Sequence, residues 1–353
     1  MGGHSVRLDR CLRIVELEFE VMDVEVKKDS AKVLVGLPRR GDLESSLLSV
    51  YKKLTASGCY PSTWRGSDGL AIYMHVRSSG RGLLTALALA AATIVTVYMS
   101  GLALSLGEGL SWSPLAYMIG LLAPLLIHEM GHWITMMVYR VPRSLPYFIP
   151  APPIQLGFLG TFGAVVNLRW LPPNPDSLAL MAVMGPLAGF LAALPLTVVG
   201  LMDSLVLEPG EAVGAAALPV VPLIMVILAR LLGLPEDSVI VLSPLAFAGY
   251  IVFLITFLNL LPIGSLDGGH IVRSVAGERG HAAVSLSVVA VAVGLTAVYP
   301  ALAIFAFIAL AIYMLMGGRH PGSAMIDGNP GIFSALSVAI YSILLGLTAP
   351  IPI

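Results

Sequence analysis

Charge is scarce in this chain of 353 residues. Only 12% of the residues are Asp, Glu, Lys or Arg, whereas a soluble domain carries about 25%. The formal net charge is -1, 57% of the residues are hydrophobic, and the mean hydropathy is +0.89. This composition excludes an ordinary soluble enzyme and a disordered tail, and the lack of a basic surplus excludes a nucleic-acid-binding protein.

Cysteine is scarce as well, since only Cys11 and Cys59 occur. A disulfide framework takes more cysteines and an oxidising compartment, so we expect two free thiols. The first 80 residues also lack the apolar segment of a secretory signal peptide, and we expect no cleaved leader.

The charges that are present concentrate at the N-terminal end. Thirteen of the 20 Lys and Arg residues and ten of the 21 Asp and Glu residues lie in residues 1–81, which leaves 18 charges for the other 272 residues. This division predicts a small soluble domain, residues 1–81, which we call the head. A polytopic α-helical membrane domain follows at 82–353.

The head shows three segments typical of strands and one typical of a helix. Residues 14–21 alternate apolar and Glu side chains, and residues 31–37 and 70–76 also have strand character. Residues 42–56 place apolar side chains at helical spacing. The order predicts a small α+β domain with the arrangement β-β-α-β. The head contains no phosphate loop, metal cluster or nucleophile pattern, so we expect a folding or regulatory role.

Long apolar segments follow the head, and a membrane span needs about 20 such residues. We expect about six or seven transmembrane helices from the segments at 82–106, 113–139, 177–201, 214–233, 240–262, 282–298, 301–316 and 331–349. Segment 214–233 is the one that we expect not to cross, because Arg230 lies inside it and prolines lie near its start. We interpret it as a re-entrant or surface helix.

With that segment excluded, the arginines of the membrane domain lie on one side together with the head. The positive-inside rule makes this the cytosolic side of a multi-pass protein, and we expect a prokaryotic cell membrane and a cytosolic N-terminus. The arginines concerned are Arg81, Arg140, Arg143, Arg169, Arg273, Arg279 and Arg319.

The connection at 141–176 is rich in proline and contains an apolar run with glycines, Gly157–Asn167, that is typical of a β-strand. Such a segment is not a helical span, and non-helical backbone at membrane depth is tolerated only against protein or a water-filled cavity. We therefore predict a membrane-dipping loop. It serves either to pair with an extended substrate or only as an architectural hairpin.

The main chemical signal is the HExxH sequence at His128–His132 in the apolar segment 113–140. On a helix, positions i and i+4 share a face, so His128 and His132 point at one Zn²⁺. Glu129 lies beside them and is suited to take a proton from a water molecule at the metal. Ionisable residues inside an apolar span are costly and indicate function.

A catalytic zinc site needs a third protein ligand, and Asp267, at the end of the segment 240–270, is the best candidate. His128 and His132 precede Arg140 by about 18 and 12 Å of helix. Asp267 precedes Arg273 by about 9 Å of helix. If both arginines lie at the same interface, the three ligands reach similar depths.

The two motifs together resemble the site-2 protease family of intramembrane metalloproteases. That family pairs HExxH with N-x-x-P-x-x-x-L-D-G, which is present here at Asn259, Pro262, Leu266, Asp267 and Gly268. Without a PDZ domain between the motifs, the chain is similar to the archaeal, cyanobacterial and plastid branch of the family.

The resemblance implies Zn²⁺ held by His128, His132 and Asp267, with Glu129 as the general base. It implies hydrolysis of peptide bonds in transmembrane helices of protein substrates inside the lipid bilayer. Asn259 would bind the substrate backbone or stabilise the transition state. Alternatively, Asn259 is a structural amide that caps the broken helix before Pro262.

Other features of the membrane domain have structural interpretations. Gly185 and Gly189 form a small-residue face for close helix packing. His270 is either a spare metal ligand or hydrogen-bond donor to one, or, as we expect, an interfacial residue beside Arg273, and we assign no metal to it. We likewise assign none to His281 and His320, which we expect in solvated loops.

Two other functions use the same residues. The first is a zinc or proton transporter, which would favour an internal repeat that this sequence lacks. The second is a catalytically inactive membrane scaffold, which the intact HExxH sequence disfavours.

Overall fold

The computed structural model describes most of the chain. The side chains of residues 2–6 and of Asn167 lie outside the description, as do the predicted topology markers Arg81 and Arg319. The described residues are 2–27, 29–67, 69–76, 82–105, 113–208, 217–235, 237–316, 320–325 and 330–352.

The head is an antiparallel sheet with two helices packed on it, in the order α-β-β-α-β-β. The four strands lie in the order β1-β2-β4-β3. Tyr51, Leu54, Ile72 and Met74 are among its fully buried side chains. The elements are α1 (Gly2–Glu18), β1 (Phe19–Lys27), β2 (Ser30–Pro38), α2 (Leu43–Ala56), β3 (Cys59–Gly66) and β4 (Gly69–Val76).

The α+β class of the head is confirmed, but the predicted order β-β-α-β is wrong. Residues up to Glu18 belong to α1, and β1 begins only at Phe19. Leu8, Cys11 and Val15 are buried at helical spacing, so the core selects the helix over the strand that the local alternation indicated. The prediction also missed β3, where Pro61 weakens the strand signal.

The expectation of two free thiols is also wrong, because Cys11 and Cys59 form a disulfide. Packing of α1 beside the start of β3 brings the two Cα atoms to 6.5 Å. Both cysteines are fully buried in the head core. A count of cysteines cannot reveal this pairing across 48 residues, since it depends on the tertiary fold.

The rest of the chain is mainly helical. Among the described residues, four helices are long and apolar enough to cross a membrane: α3 (Leu83–Leu104), α4 (Ser113–Val138), α5 (Pro175–Met202) and α8 (Asp267–Leu295). Within α8 the helix breaks at Gly277, where φ is 68°. The shorter helices are α6 (Leu223–Leu231), α7 (Pro244–Asn259), α9 (Ala303–Met316) and α10 (Ile332–Thr348).

The segment between α5 and α7 starts and ends at the same end of the bundle. The Ser243 hydroxyl, at the start of α7, donates to the Gly200 carbonyl near the end of α5 at 2.8 Å. The intervening helix α6 has nine residues, or about 14 Å, which is too short to cross a bilayer core of about 30 Å. The expectation that 214–233 does not cross the membrane stays a prediction. The short strands of this region are β7 (Leu205–Leu207), β8 (Val220–Pro222) and β9 (Val239–Val241), and β10 (Pro350–Pro352) pairs with β8.

A β-hairpin connects α4 to α5, formed by β5 (Arg143–Pro150) and β6 (Thr161–Leu168). The predicted strand Gly157–Asn167 therefore exists, although its first four residues form part of the tip rather than β6. At the tip, the Leu159 carbonyl accepts from the Tyr117 hydroxyl at 3.1 Å. Tyr117 lies near the start of α4, so the hairpin runs along about 30 Å of that helix.

Candidate metal centre

The histidine side of the site lies where α4 packs closely against α5. His128, Glu129 and His132 are all buried on α4. A Cβ atom added at Gly185 of α5 would lie 2.1 Å from His132 Nε2, and one at Gly189 would lie 2.8 Å from His128 Cβ. The two glycines, predicted as a packing face, therefore leave the space in which the imidazoles lie.

A backbone carbonyl of α5 sets the orientation of the second imidazole. His132 Nδ1 donates to the Met181 carbonyl at 2.8 Å, so the lone pair of the ring is on Nε2. That atom faces His128 Nε2 at 3.0 Å. Metal-binding histidines commonly donate their other ring N–H to a carbonyl in this way.

Asp267 completes the group from the first residue of α8. Its carboxylate oxygens lie 3.3 Å from His128 Nε2 and 3.4 Å from His132 Nε2. Atoms bound to a tetrahedral zinc ion at about 2.0–2.1 Å lie about 3.3 Å apart. Nitrogen lone pairs and carboxylate oxygens converge here, which is the donor set that a divalent zinc ion suits.

Glu129 lies beside this group and also faces the hairpin. Its carboxylate is near enough to the two imidazoles for one ligand atom from each residue to lie within 4.8 Å of the others. The backbone amide of Val166 in β6 lies within hydrogen-bonding reach of the same carboxylate. The hairpin therefore forms one wall of the site.

Asn259 is the last residue of α7, and seven residues separate it from Asp267 on α8. Its side chain is half-buried, and the amide makes no hydrogen bond to the residues that the structure describes. The backbone N–H groups after it are bonded within the turn that ends α7, as at Leu260. The choice between the two predicted roles of Asn259, an amide that binds substrate and a structural cap of the broken helix, stays a prediction.

The broken segment between α7 and α8 is held by the second half of α8. His281 Nε2 donates to the Gly264 carbonyl at 3.0 Å, and the Ser285 hydroxyl donates to the Pro262 carbonyl at 2.7 Å. His281 and Ser285 are both fully buried. Sequence reasoning missed both residues, and the expectation of a solvated His281 is wrong because the kink at Gly277 folds the second half of α8 back onto the break.

His320 is buried as well, with 4% of its surface exposed, so the expectation of a solvated loop is again wrong. Its Nε2 lies 2.6 Å from His270 Nδ1. His270 follows Asp267 by one turn of α8. His270 was expected at the membrane interface beside Arg273. In the structure, the chain after α9 packs against His270 through His320.

The fold and the site together define a class of helical proteins with a buried metal site. In this class, a bundle of apolar helices encloses a His-Glu-His group on one helix and an aspartate on another. Residues 116–302 match the family model described as Peptidase family M50. The match covers more than half of the chain and contains both motifs. The protein therefore belongs to Peptidase family M50, the site-2 protease family predicted from the sequence.

Curated relatives of the chain are named as chloroplastic zinc metalloproteases. The chain is 32% identical over 181 residues to the probable zinc metalloprotease EGY1 of Arabidopsis thaliana, covering 49% of this chain and 31% of the relative. It is 29% identical over 232 residues to the probable zinc metalloprotease EGY2 of the same plant, covering 64% of this chain and 40% of the relative. The chain thus spans less than half of the length of these relatives. No solved structure matches it.

Proposed function

We propose that the protein is a zinc endopeptidase that hydrolyses peptide bonds of membrane proteins within the bilayer. One observation carries the proposal. His128, His132 and Asp267 present ligand atoms 3.0 to 3.4 Å apart on apolar helices, at the spacing of a tetrahedral zinc site. Membership of Peptidase family M50 and the names of the curated relatives support it.

Each residue of the site has a proposed role. His128, His132 and Asp267 would hold Zn²⁺, and the Met181 carbonyl keeps the His132 lone pair directed at the ion. The bound ion would supply Lewis acidity at the scissile carbonyl and would acidify a water molecule. Glu129 would accept a proton from the attacking water and pass it to the leaving amine. The Asn259 amide, which has no partner among the described residues, donates to the substrate where negative charge develops.

The proposed substrate is a transmembrane helix that unwinds locally. A helix keeps its carbonyl groups hydrogen-bonded, so unwinding must precede attack on the peptide bond. Strand β6 runs past Glu129. Strand β5 pairs with one edge of β6, and no described strand pairs with the other edge. An unwound substrate segment can pair with the β6 side of the hairpin as an added strand. We propose that the hairpin is the membrane-dipping loop predicted from residues 141–176.

We propose a cytosolic orientation for the head and for the end of the bundle with Arg140, Arg143 and Arg273. Disulfides are rare in the cytosol of most organisms. However, Cys11 and Cys59 are fully buried, which restricts attack by a reducing thiolate. Cysteines introduced singly at Arg140 and at Leu205 in the disulfide-bonded protein test the orientation. Labelling of the Leu205 variant, but not the Arg140 variant, by an impermeant reagent added outside is expected, and the reverse result would refute the orientation.

The function is tested with purified protein in detergent and a panel of membrane-helix peptides. Replacing Glu129 by Gln removes the base but keeps the volume of the side chain, so cleavage should fall by about 10²- to 10⁴-fold. Elemental analysis should find one zinc per chain in the protein and in the variant, and a chelator should abolish cleavage. Unchanged cleavage by the Glu129→Gln variant would remove Glu129 from the mechanism, and cleavage that survives removal of all metal would refute the proposal.

A further inference from the structure

A short segment of chain connects the head to the helix that carries Asp267. We call residues 320–325, which follow α9, the strap. The Thr63 N–H of β3 donates to the Ala324 carbonyl at 2.8 Å, so the strap is bonded to the β3 edge of the head sheet. The side chains of Ala324 and Met325 are buried in the head core. One end of the strap is therefore part of the packing of the head.

The connection from β6 to α5 fixes the same end of the strap. Its backbone accepts the N–H groups of Ala324 and Met325 at 2.7 and 3.0 Å. The indole N–H of Trp170 in this connection donates to the Pro61 carbonyl of β3 at 2.6 Å, and the Trp170 ring stacks on Tyr60. The head, the strap and the membrane domain thus meet in one hydrogen-bonded junction.

The other end of the strap packs on the first two turns of α8. His320 Nε2 lies 2.6 Å from His270 Nδ1, and Arg273 Nε donates to the His320 carbonyl at 3.4 Å. Gly322 turns the strap at a φ of 79°, and a Cβ atom there would lie 2.5 Å from the Arg273 guanidinium. These contacts enclose the His270 side of the helix.

The tautomers of the two histidines follow from their partners. The Gly322 N–H donates to His320 Nδ1 at 2.9 Å, so the proton of the neutral His320 ring is on Nε2. Burial lowers the pKa of His320 to about 2, and His320 is neutral at physiological pH. Its Nε2–H therefore donates to His270 Nδ1. Nε2 of His320 carries a proton, and Nδ1 accepts from the Gly322 N–H. His320 therefore has no lone pair left for a second metal ion.

We propose that His320 is a positioning residue for Asp267 and that the head anchors it there through the strap. The inference rests on the proposed zinc site. Asp267 lies in the first turn of α8, directly after the non-helical residues 260–266. The segment before this turn is held by the bonds from His281 and Ser285, and the turn after it is held from the side of the strap. His320 holds that turn at His270. The strap that carries His320 is held by the Thr63 bond to β3, by two backbone bonds to the connection from β6 to α5, and by burial of Ala324 and Met325 in the head core.

The proposal is tested by metal binding in the full-length protein, measured with Co²⁺ and a competing chelator in detergent. The absorption bands of Co²⁺ report whether the site is tetrahedral. His320→Ala is expected to weaken Co²⁺ binding by about 10-fold and to change the bands. His320→Gln keeps an N–H donor at a similar distance and is expected to restore both.

A second pair of variants tests the head, because an altered His320 can also disturb folding locally. Thr63→Pro removes the N–H that donates to the Ala324 carbonyl, whereas Thr63→Ala keeps it. Thr63 belongs to the outer strand of the sheet, where proline is tolerated. We expect Thr63→Pro to weaken Co²⁺ binding in the same direction as His320→Ala, and Thr63→Ala to bind as the unaltered protein does.

The outcomes separate this inference from the proposed function. Unchanged Co²⁺ affinity and bands in His320→Ala, even with a lower melting temperature, would show a merely structural role and overturn the inference. Unchanged binding in Thr63→Pro would overturn the part of the inference that concerns the head. An unaltered protein that binds Co²⁺ but cleaves no peptide would refute only the peptidase, whereas one that binds no metal would overturn both proposals.

Discussion

The two halves of the metal centre are built in different ways. The histidine half lies on one continuous helix, α4, and is enclosed by the backbone of α5 at Gly185 and Gly189. The aspartate half follows a broken segment of chain, whose carbonyl groups are held by His281 and Ser285. The imidazoles are enclosed by the backbone of a neighbouring helix. The first turn of α8 packs closely on the break at Gly268 and Gly269, and the break is also held by hydrogen bonds from buried polar side chains.

This difference predicts how each half responds to substitution. A close-packed interface has no room for an added methyl group, so small changes produce large effects. A set of hydrogen bonds is lost one bond at a time, and each neutral bond contributes about 1 kcal/mol. Substitution of the glycines that enclose the imidazoles should therefore have an abrupt effect, and loss of the His281 or Ser285 bond a gradual one.

The largest effect is expected from Gly185→Ala. The added Cβ atom would overlap His132 Nε2, so α4 and α5 must separate or the imidazole must rotate. We expect zinc affinity to fall by about 100-fold or more, with cleavage lost in parallel. Elemental analysis of the purified variant measures the zinc content directly.

Gly346→Ala is the matched control for that substitution. Gly346 lies in α10, and an added Cβ atom would meet nothing within 4 Å there. Alanine in a helix is favoured over glycine by about 0.5–1 kcal/mol, so this variant should keep its zinc and its activity. Full zinc occupancy in Gly185→Ala would contradict the contrast between the two halves.

The histidine half is also the half that the sequence predicts best. HExxH spacing on an apolar helix places two imidazoles and a carboxylate on known faces, and the small-residue pair in the next span predicts close approach. These inferences need only local periodicity. The prediction of Asp267 as a ligand required the second motif and a comparison of depths along the helices, because Asp267 lies on a different helix.

The parts that the sequence did not predict depend on contacts between distant residues. Ser285 bonds to a carbonyl 23 residues away, and Thr63 bonds to Ala324 across 261 residues. In the head, α1 is selected over a strand because the core buries Leu8 and Val15. Neither local propensity nor residue spacing carries such information.

A smaller effect than that of Gly185→Ala is expected from Asn259→Ala. The amide is half-buried beside the break and has no partner among the described residues, so its removal leaves no described group unpaired. We expect zinc content and stability to stay unchanged while turnover falls by about 10²-fold. Loss of stability at unchanged specific activity would instead show that Asn259 is structural.

The aspartate half is tested next by His281→Ala. The substitution leaves the buried Gly264 carbonyl without its donor, three residues before Asp267. An unpaired buried carbonyl costs about 1–3 kcal/mol, and part of this should appear as weaker zinc binding. His281→Gln places an amide N–H near the same carbonyl and should recover most of the loss in a chelator competition. Equal losses for the two variants would mean that the packing of the ring matters rather than its bond.

The smallest effect is expected from Ser285→Ala, which removes a single neutral hydrogen bond to the Pro262 carbonyl. The bond is buried, so the free energy of unfolding should fall by about 1 kcal/mol while the His281 bond still holds the break. Zinc should stay bound, and cleavage should change only slightly.

The double variant with His281→Ala provides the sharper measurement. If the two bonds hold one segment, their combined loss should exceed the sum of the single losses in zinc affinity. Strict additivity of the losses in zinc affinity would show that the two carbonyls are held independently. The contrast between the abrupt effect of a glycine substitution and the gradual effect of lost hydrogen bonds would then rest on Gly185 alone.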